Sequence, residues 1–244
     1  YGIRYKYGLF KQDFENGFQK ELPDDWQRFG DPWSIRKEDE SKTITFADMV
    51  VTAVPYDMPV FGKRINILRL YQAEGSTEAE KISEYLYPAD DTEEGKILRL
   101  RQEYFFTAAA CRDIVQNFVR LHGTNFKNLG KYNTIQLNDT HPVLAIAELI
   151  RIMTGEYGVK FKTALDAVKG AFAYTNHTIL PEALECWDMG MIERILPEIA
   201  QIISKIDAAA SIEREKAGYS AAEIEETAVI RGDKAHMANL AVYA

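Results

Sequence analysis

Histidine and cysteine are scarce in this chain, and the scarcity closes off several chemistries. Only His122, His141, His177 and His236 are present, and none stands in H-E-x-x-H or a comparable ligand spacing. That argues against a zinc centre, and no residue is assigned to a metal. The glycines form neither G-x-G-x-x-G nor a Walker A loop, so no phosphate cradle of those types is encoded. No G-x-S-x-G nucleophile elbow occurs. No apolar run is long enough to span a bilayer, and no signal peptide is visible. Cys111 and Cys186 form no C-x-x-C motif and read as buried, reduced thiols of a cytoplasmic protein. Cations are the minority charge, 29 Lys and Arg against 37 Asp and Glu, a formal net charge of -8. Nucleic acid and anionic membrane are therefore poor candidates as partners.

What is present suits an ordinary globular protein. A chain of 244 residues fits one large domain or two small ones, and it can bury a core without disulfides. Tyr1 falls inside a strand pattern, and Val242-Tyr243-Ala244 carries no helix-terminating composition, so both ends read as cut. Residues 1–20 have strand patterning, with Tyr1, Ile3, Tyr5, Tyr7 and Leu9 on one alternating face. Residues 43–55 and 64–71 read as further strands, with Pro55, Asp57 and Pro59 breaking the run between them. A short helix is expected over 76–87 and a polar loop over 89–95. A long amphipathic helix follows over 96–121, with Leu100, Tyr104, Ala108, Cys111, Val115 and Phe118 at helical spacing.

The second half alternates. Thr134 to Leu137 is a short strand, and Pro142 suits the first turn of the helix that follows. A helix over 161–169 precedes a strand at Ala171 to Tyr174. Pro181 and Glu182 then open another helix, residues 191–216 are mostly helical, and 220–240 are expected to be helical as well. The order strand–helix–helix–strand–helix implies parallel strands joined by crossovers, an α/β arrangement.

Two segments stand out against this frame: Asn138-Asp139-Thr140-His141-Pro142, and Tyr174-Thr175-Asn176-His177 running on to Glu185. Each places a histidine directly after a strand, at the carboxyl edge where open α/β sheets bind ligands. An imidazole that donates at one nitrogen and accepts at the other suits a sugar hydroxyl. From the residues alone, the same histidines more readily cap a helix or tie a loop, and Asp139 more readily caps the next helix than orients His141. By composition the acidic loop Ala89-Asp90-Asp91-Thr92-Glu93-Glu94-Gly95 reads first as a solvated connection, with a gate as the alternative. Trp26, Phe29 and Trp33 are more readily core than a sugar-stacking platform. Asn138-Asp139-Thr140 and Asn176-His177-Thr178 match the glycosylation sequon by chance.

These segments resemble the α-glucan phosphorylases, the glycogen, starch and maltodextrin enzymes. Further matching runs occur in the same order: Tyr1 to Tyr5, Asp25-Trp26 through Pro32-Trp33, Pro55-Tyr56-Asp57, Leu86-Tyr87-Pro88 and Gly95 through Phe105. The resemblance implies residues 1–244 as a partial N-terminal domain, the Rossmann-like portion of a glycosyltransferase B (GT-B) fold. It implies release of glucose 1-phosphate from an α-1,4-glucan by inorganic phosphate. Pyridoxal phosphate would lie in a C-terminal domain that this chain lacks, so none is expected here, and the full-length enzyme would be a cytoplasmic homodimer. His177 is then expected to contact the transferred glucose, with Asn176 beside it and Asp139 and His141 lining the catalytic cleft. Asp90 and Asp91 fall in the gate loop, where the family usually has Asn-Asp-Asn against Ala89-Asp90-Asp91 here. The chain is also shorter than the family between Phe46 and Val51 and between Tyr71 and Lys81. The isolated chain is expected to be inactive. The alternatives are a non-catalytic module that binds glucan or self-associates, and a nucleotide-sugar transferase of the same fold.

Overall fold

Val50-Val51-Thr52-Ala53-Val54 has four β-branched residues in five, a composition that favours a strand. In the computed structural model of the chain, which describes residues 1–177, 180 and 184–244, it opens the longest strand. The structure is mixed α/β and divides into two units. One comprises Tyr1–Thr45 and Met49–Ala109, the other Phe46–Asp48 and Ala110–Ala244.

The first unit contains β1 (Gly2–Ile3), β2 (Phe10–Glu15), β3 (Phe18–Pro23), β4 (Ile35–Arg36), β5 (Lys42–Thr45), β6 (Val50–Val60) and β7 (Asn66–Glu74). Helix α1 (Thr77–Glu80) follows, and α2 (Glu93–His122) begins here. The main sheet runs β1-β7-β6-β4 with β5 also on β6, and only β1 and β7 pair in parallel. Pro55 and Pro59 do not break β6, contrary to the expectation. Proline costs a strand only the hydrogen bond its N–H would have made. The Pro55 carbonyl accepts from Lys37 N, so its nitrogen faces the β4 side, in the interval between the residues that pair with β5 and those that pair with β4. Pro59 faces the same side by the two-residue period, beyond the end of β4. The β7 ladder, from Thr52↔Glu74 to Val60↔Asn66, is untouched.

Two other expectations change in this unit. The single alternating face over residues 1–20 is instead the short β1 and a separate β2–β3 hairpin, reversed at Asn16 and Gly17, both at positive φ. The expected helix over 76–87 is α-helical only at Thr77–Glu80, capped by Ser76. The chain then tightens into a 3-10 turn over Lys81–Ser83, whose Ser83 and Glu84 carbonyls accept from Lys6 N and Tyr7 N, and it leaves the helical course at the Tyr7–Tyr85 bridge. The core includes Val51, Val54, Tyr71, Ile82, Leu100 and Phe105. Arg4 is buried beside it, paired to Asp31 at 3.0 Å and lying over the Tyr56 ring. Burial pushes the Asp31 carboxyl up, but hydrogen bonds from Ser34, Arg4 and the Trp33 amide outweigh it and hold the group below its ordinary range. Trp26 is half-buried, whereas Phe29 and Trp33 are exposed, so the expected aromatic core there is not formed.

The second unit takes the rest of α2, then α3 (Leu129–Tyr132), β8 (Ile135–Asn138), α4 (Leu144–Arg151), α5 (Phe161–Lys169) and β9 (Phe172–Thr175). It continues with β10 (Cys186–Asp188), α6 (Met189–Ile195), α7 (Pro197–Lys216), α8 (Ala221–Thr227), β11 (Ile230–Arg231), β12 (Lys234–His236) and α9 (Met237–Tyr243). β8 and β9 pair in parallel, as the strand–helix–helix–strand order requires. Every residue from Leu144 to Ile150 is buried, including Glu148, whose charge is met by Arg151 at 2.6 Å. Pro197 opens α7 and Ser220 with Glu223 forms a capping box for α8.

Residues 220–240 are not one helix. A tight turn at Gly232 and Asp233, both left-handed, folds β11 onto β12, and β10 joins them antiparallel. The Asp207 carboxylate accepts from the amides of Val229 and Ile230 and stops the helix there. The helix expected from Pro181 falls on 181–183, outside the described residues; Leu184 and Glu185 are not helical, and Cys186–Asp188 is a strand. Cys111 is buried as expected, but Cys186 is exposed on that strand, contrary to expectation. Among the described residues, no helix is long and apolar enough to cross a membrane.

Candidate functional site

The parallel register sets Asn138 opposite Thr175, so the two histidine-bearing segments leave the sheet at the same end. Asp139 extends the ladder by donating its amide to the Thr175 carbonyl at 2.8 Å. It then turns the chain with φ of 60°, a conformation that Asp and Asn tolerate better than most residues. This turn aims its carboxylate across at the second segment. Oδ1 accepts the backbone N–H of His177 at 2.7 Å, and Oδ2 lies 3.3 Å from the imidazole Nδ1. The carboxylate favours the tautomer with its proton on Nδ1 and fixes the ring orientation. His177 remains 54% exposed while Asp139 is 25% exposed, so the carboxylate supports and the imidazole is presented. Asn176, between strand and histidine, is exposed too.

His141 is held by a different carboxylate. Its Nδ1 lies 3.0 Å from Glu185 Oε1, and Thr140 donates its hydroxyl to Glu185 Oε2 at 2.5 Å. Glu185 is 8% exposed and Thr140 is buried, so this second contact is the more enclosed. Asp139 therefore orients His177, not His141, although it sits two residues from the latter. Glu185 and Thr140 were within the conspicuous segments but carried no assigned role. Their partnership spans 45 residues, and nothing in local spacing signals it.

Tyr174, on β9, completes the neighbourhood. Its hydroxyl is buried without a hydrogen-bond partner among the described residues. Burial raises its pKa, and the negative charges of Asp139 and Glu185 raise it further.

Asp90 and Asp91 belong to the other unit. Both are exposed, and Asp90 lies 3.3 Å from Arg99 of α2. The acidic loop is shorter than expected, because Thr92 caps α2 by accepting from the Gly95 amide and Glu93–Gly95 are helical. Gly95 has no room for a side chain: a Cβ there would meet the Ala89 carbonyl oxygen at 2.0 Å. The loop is thus folded back on the first turn of its own helix.

Comparison with known proteins gives this arrangement a family. The family model described as carbohydrate phosphorylase matches residues 1–79 and 74–244, the two pieces meeting inside the segment expected to be shortened. A glycogen phosphorylase of Bacillus subtilis is 38% identical over 239 residues, covering 84% of this chain and 30% of its own. The chloroplastic/amyloplastic alpha-1,4 glucan phosphorylase L isozyme of Vicia faba is 38% identical over 249 residues, covering 85% and 25%. The muscle-form glycogen phosphorylase of Ovis aries is 40% identical over 254 residues, covering 85% and 30%. An aligned stretch of 254 residues exceeds the whole 244-residue chain, so that relative carries residues here that this chain does not. The chain spans less than a third of the length of these relatives. With a family match running from its first residue to its last, the chain belongs to the carbohydrate phosphorylases.

Proposed function

We propose that the polypeptide to which this chain corresponds is an α-1,4-glucan phosphorylase, cleaving the terminal glucose with inorganic phosphate to release glucose 1-phosphate. The family match over the whole chain carries this reading. In it, residues 1–244 are part of the N-terminal domain, the Rossmann-like portion of a GT-B fold. The parallel β8–β9 pair, with its polar residues gathered at the carboxyl edge, supports that placement.

His177 positions the transferred glucose by hydrogen bonding, with Asn176 beside it. Asp139 holds the imidazole, and Glu185 does the same for His141 at the cleft wall. Holding a sugar ring in one orientation lowers the barrier without proton transfer by these groups. Asp90 and Asp91 sit on the gate loop. Two carboxylates and two imidazoles suit a neutral polyhydroxylated ligand and do not suit a phosphorylated cofactor, whose charge Asp139 and Glu185 would oppose. By the family resemblance, pyridoxal phosphate would lie in a C-terminal domain of the full-length enzyme, and the acidic surroundings of these histidines are in keeping with that. The full-length protein is read as a cytoplasmic homodimer; two cysteines left unpaired fit a reducing compartment.

The test is glucose 1-phosphate release from maltodextrin and phosphate by the parent polypeptide and by the 244-residue chain. Release by the parent alone supports the reading. Release by neither, with saturable maltooligosaccharide binding retained, replaces it with a non-catalytic glucan-binding module. A requirement for a nucleotide sugar in place of phosphate replaces it with a transferase.

A further inference from the structure

Cys186 and His236 face each other across the β10–β12 ladder as a directly opposed antiparallel pair. The Cys186 Sγ lies 3.2 Å from His236 Nδ1, and the thiol also reaches the Leu184 carbonyl at 3.3 Å. On its far side, the imidazole Nε2 lies 3.4 Å from the Arg231 carbonyl. A carbonyl only accepts, so this contact favours the tautomer with hydrogen on Nε2 and leaves the Nδ1 lone pair turned to the thiol. Cys186 is exposed, while Cys111 is buried. The pair is built from two strands and a carbonyl, and the glucan chemistry proposed above uses none of these groups.

We propose that Cys186 and His236 form a thiol–imidazole pair that takes up low-molecular-weight disulfides, making Cys186 a site of reversible S-thiolation. His236 Nδ1 accepts the S–H proton as Sγ attacks one sulfur of the disulfide. A new S–S bond forms to Cys186 and the old one breaks. The departing thiolate takes the proton back from His236 and leaves as a free thiol. Cys186 is oxidised to a mixed disulfide, half of the reagent is reduced, and excess thiol reverses the exchange.

Partial burial raises the thiol pKa, Lys234 and Arg231 pull it down, the Glu185 carboxylate pushes it up again, and the net shift is upward. Free thiolate is therefore scarce at neutral pH, and transfer to His236 is the route to the nucleophile.

The experiment treats the 244-residue chain with glutathione disulfide and follows adducts by intact mass and peptide mapping. One adduct is expected, on Cys186 and not on Cys111, and none in Cys186→Ser. At neutral pH, His236→Gln should slow uptake at least about tenfold. The two rates should converge once the pH is high enough to ionise the thiol directly. The pH profile of the unaltered chain gives a second reading that needs no variant. A plateau through the neutral range supports imidazole assistance; a rate that climbs about tenfold per pH unit there overturns it. Equal rates with and without His236, or equal labelling of Cys111, also overturn it.

Discussion

Asp139 and Glu185 each hold a histidine by its Nδ1, yet they do so in opposite surroundings. Asp139 is 25% exposed and its ring contact is 3.3 Å; the imidazole it supports is 54% exposed. Glu185 is 8% exposed, its ring contact is 3.0 Å, and it also takes the buried Thr140 hydroxyl. The shorter bond of Asp139 is to the His177 amide at 2.7 Å, so that carboxylate organises backbone first and ring second. The Glu185 carboxylate meets two side chains, the His141 ring and the Thr140 hydroxyl. One arrangement presents an imidazole to solvent, where a ligand can meet it. The other closes the seam between two chain segments. The difference separates the residues expected to affect binding from those expected to affect folding.

The sharpest way to break the comparison is Glu185→Ala. It removes a buried acceptor from both His141 and the Thr140 hydroxyl, and the expected loss is about 2–3 kcal/mol. Urea unfolding of the 244-residue chain measures it. A loss below about 0.5 kcal/mol would mean that the seam is held by other contacts. Asp139→Ala comes next, at about 1–2 kcal/mol, because it loses the amide hydrogen bond and places a Cβ with no compensating side-chain contact at positive φ. Asp139→Asn keeps an acceptor oxygen and the same backbone tolerance, and should recover most of that loss. If Asn and Ala are equally destabilised, the carboxylate charge matters more than its geometry.

Much of the scaffold around these residues is legible in the sequence. The helical spacing from Leu100 to Phe118 marks α2, and the short strands ending at Asn138 and Thr175 emerge within a residue or two. Phosphorylase-like runs direct attention to His141 and His177 at those ends. What escapes is set by distance or by partners. Pro55 breaks a strand in general, and it is harmless here only because its nitrogen faces the interval between β5 and β4. The β11–β12 turn is signalled by Gly232-Asp233, but Ala- and Glu-rich neighbours outweigh that signal in a helical reading. Asp207 settles the matter from more than 20 residues away. Glu185 acquires its role only when chain segments 44 residues apart are brought together. The exposure of Cys186 follows from β10 being a strand where a helix was expected.

His177→Ala sharpens the other half of the comparison. The side chain is mostly exposed, so stability should change by no more than about 0.5 kcal/mol. If His177 positions the sugar as proposed, phosphorolysis by the parent polypeptide should fall on the order of a hundredfold. Unfolding and initial-rate measurements on the same variant separate the two. A large loss of stability with little loss of rate would reverse the assignment of presenting and closing roles.

Tyr174→Phe should have the smallest effect, and of opposite sign. The hydroxyl is buried with no partner among the described residues, so removing it discards an unmet desolvation cost and should stabilise the chain by roughly 0.5 kcal/mol. Its pH signature is distinct. The tyrosine ordinarily titrates near 10.0, and the folded state raises that value through burial and the charges of Asp139 and Glu185. Between those two values the unfolded chain binds fewer protons than the folded one, so stability falls as the pH rises above about 10. Tyr5 and Tyr243 are raised as well and add to the alkaline loss. Tyr174→Phe should therefore make that loss shallower without abolishing it, and leave the neutral and acid limbs parallel to those of the unaltered chain. Urea midpoints collected from pH 7 to pH 11 read this directly. An unchanged alkaline slope would show that the Tyr174 hydroxyl is solvated, and that the carboxylates at the two strand ends do not act on it.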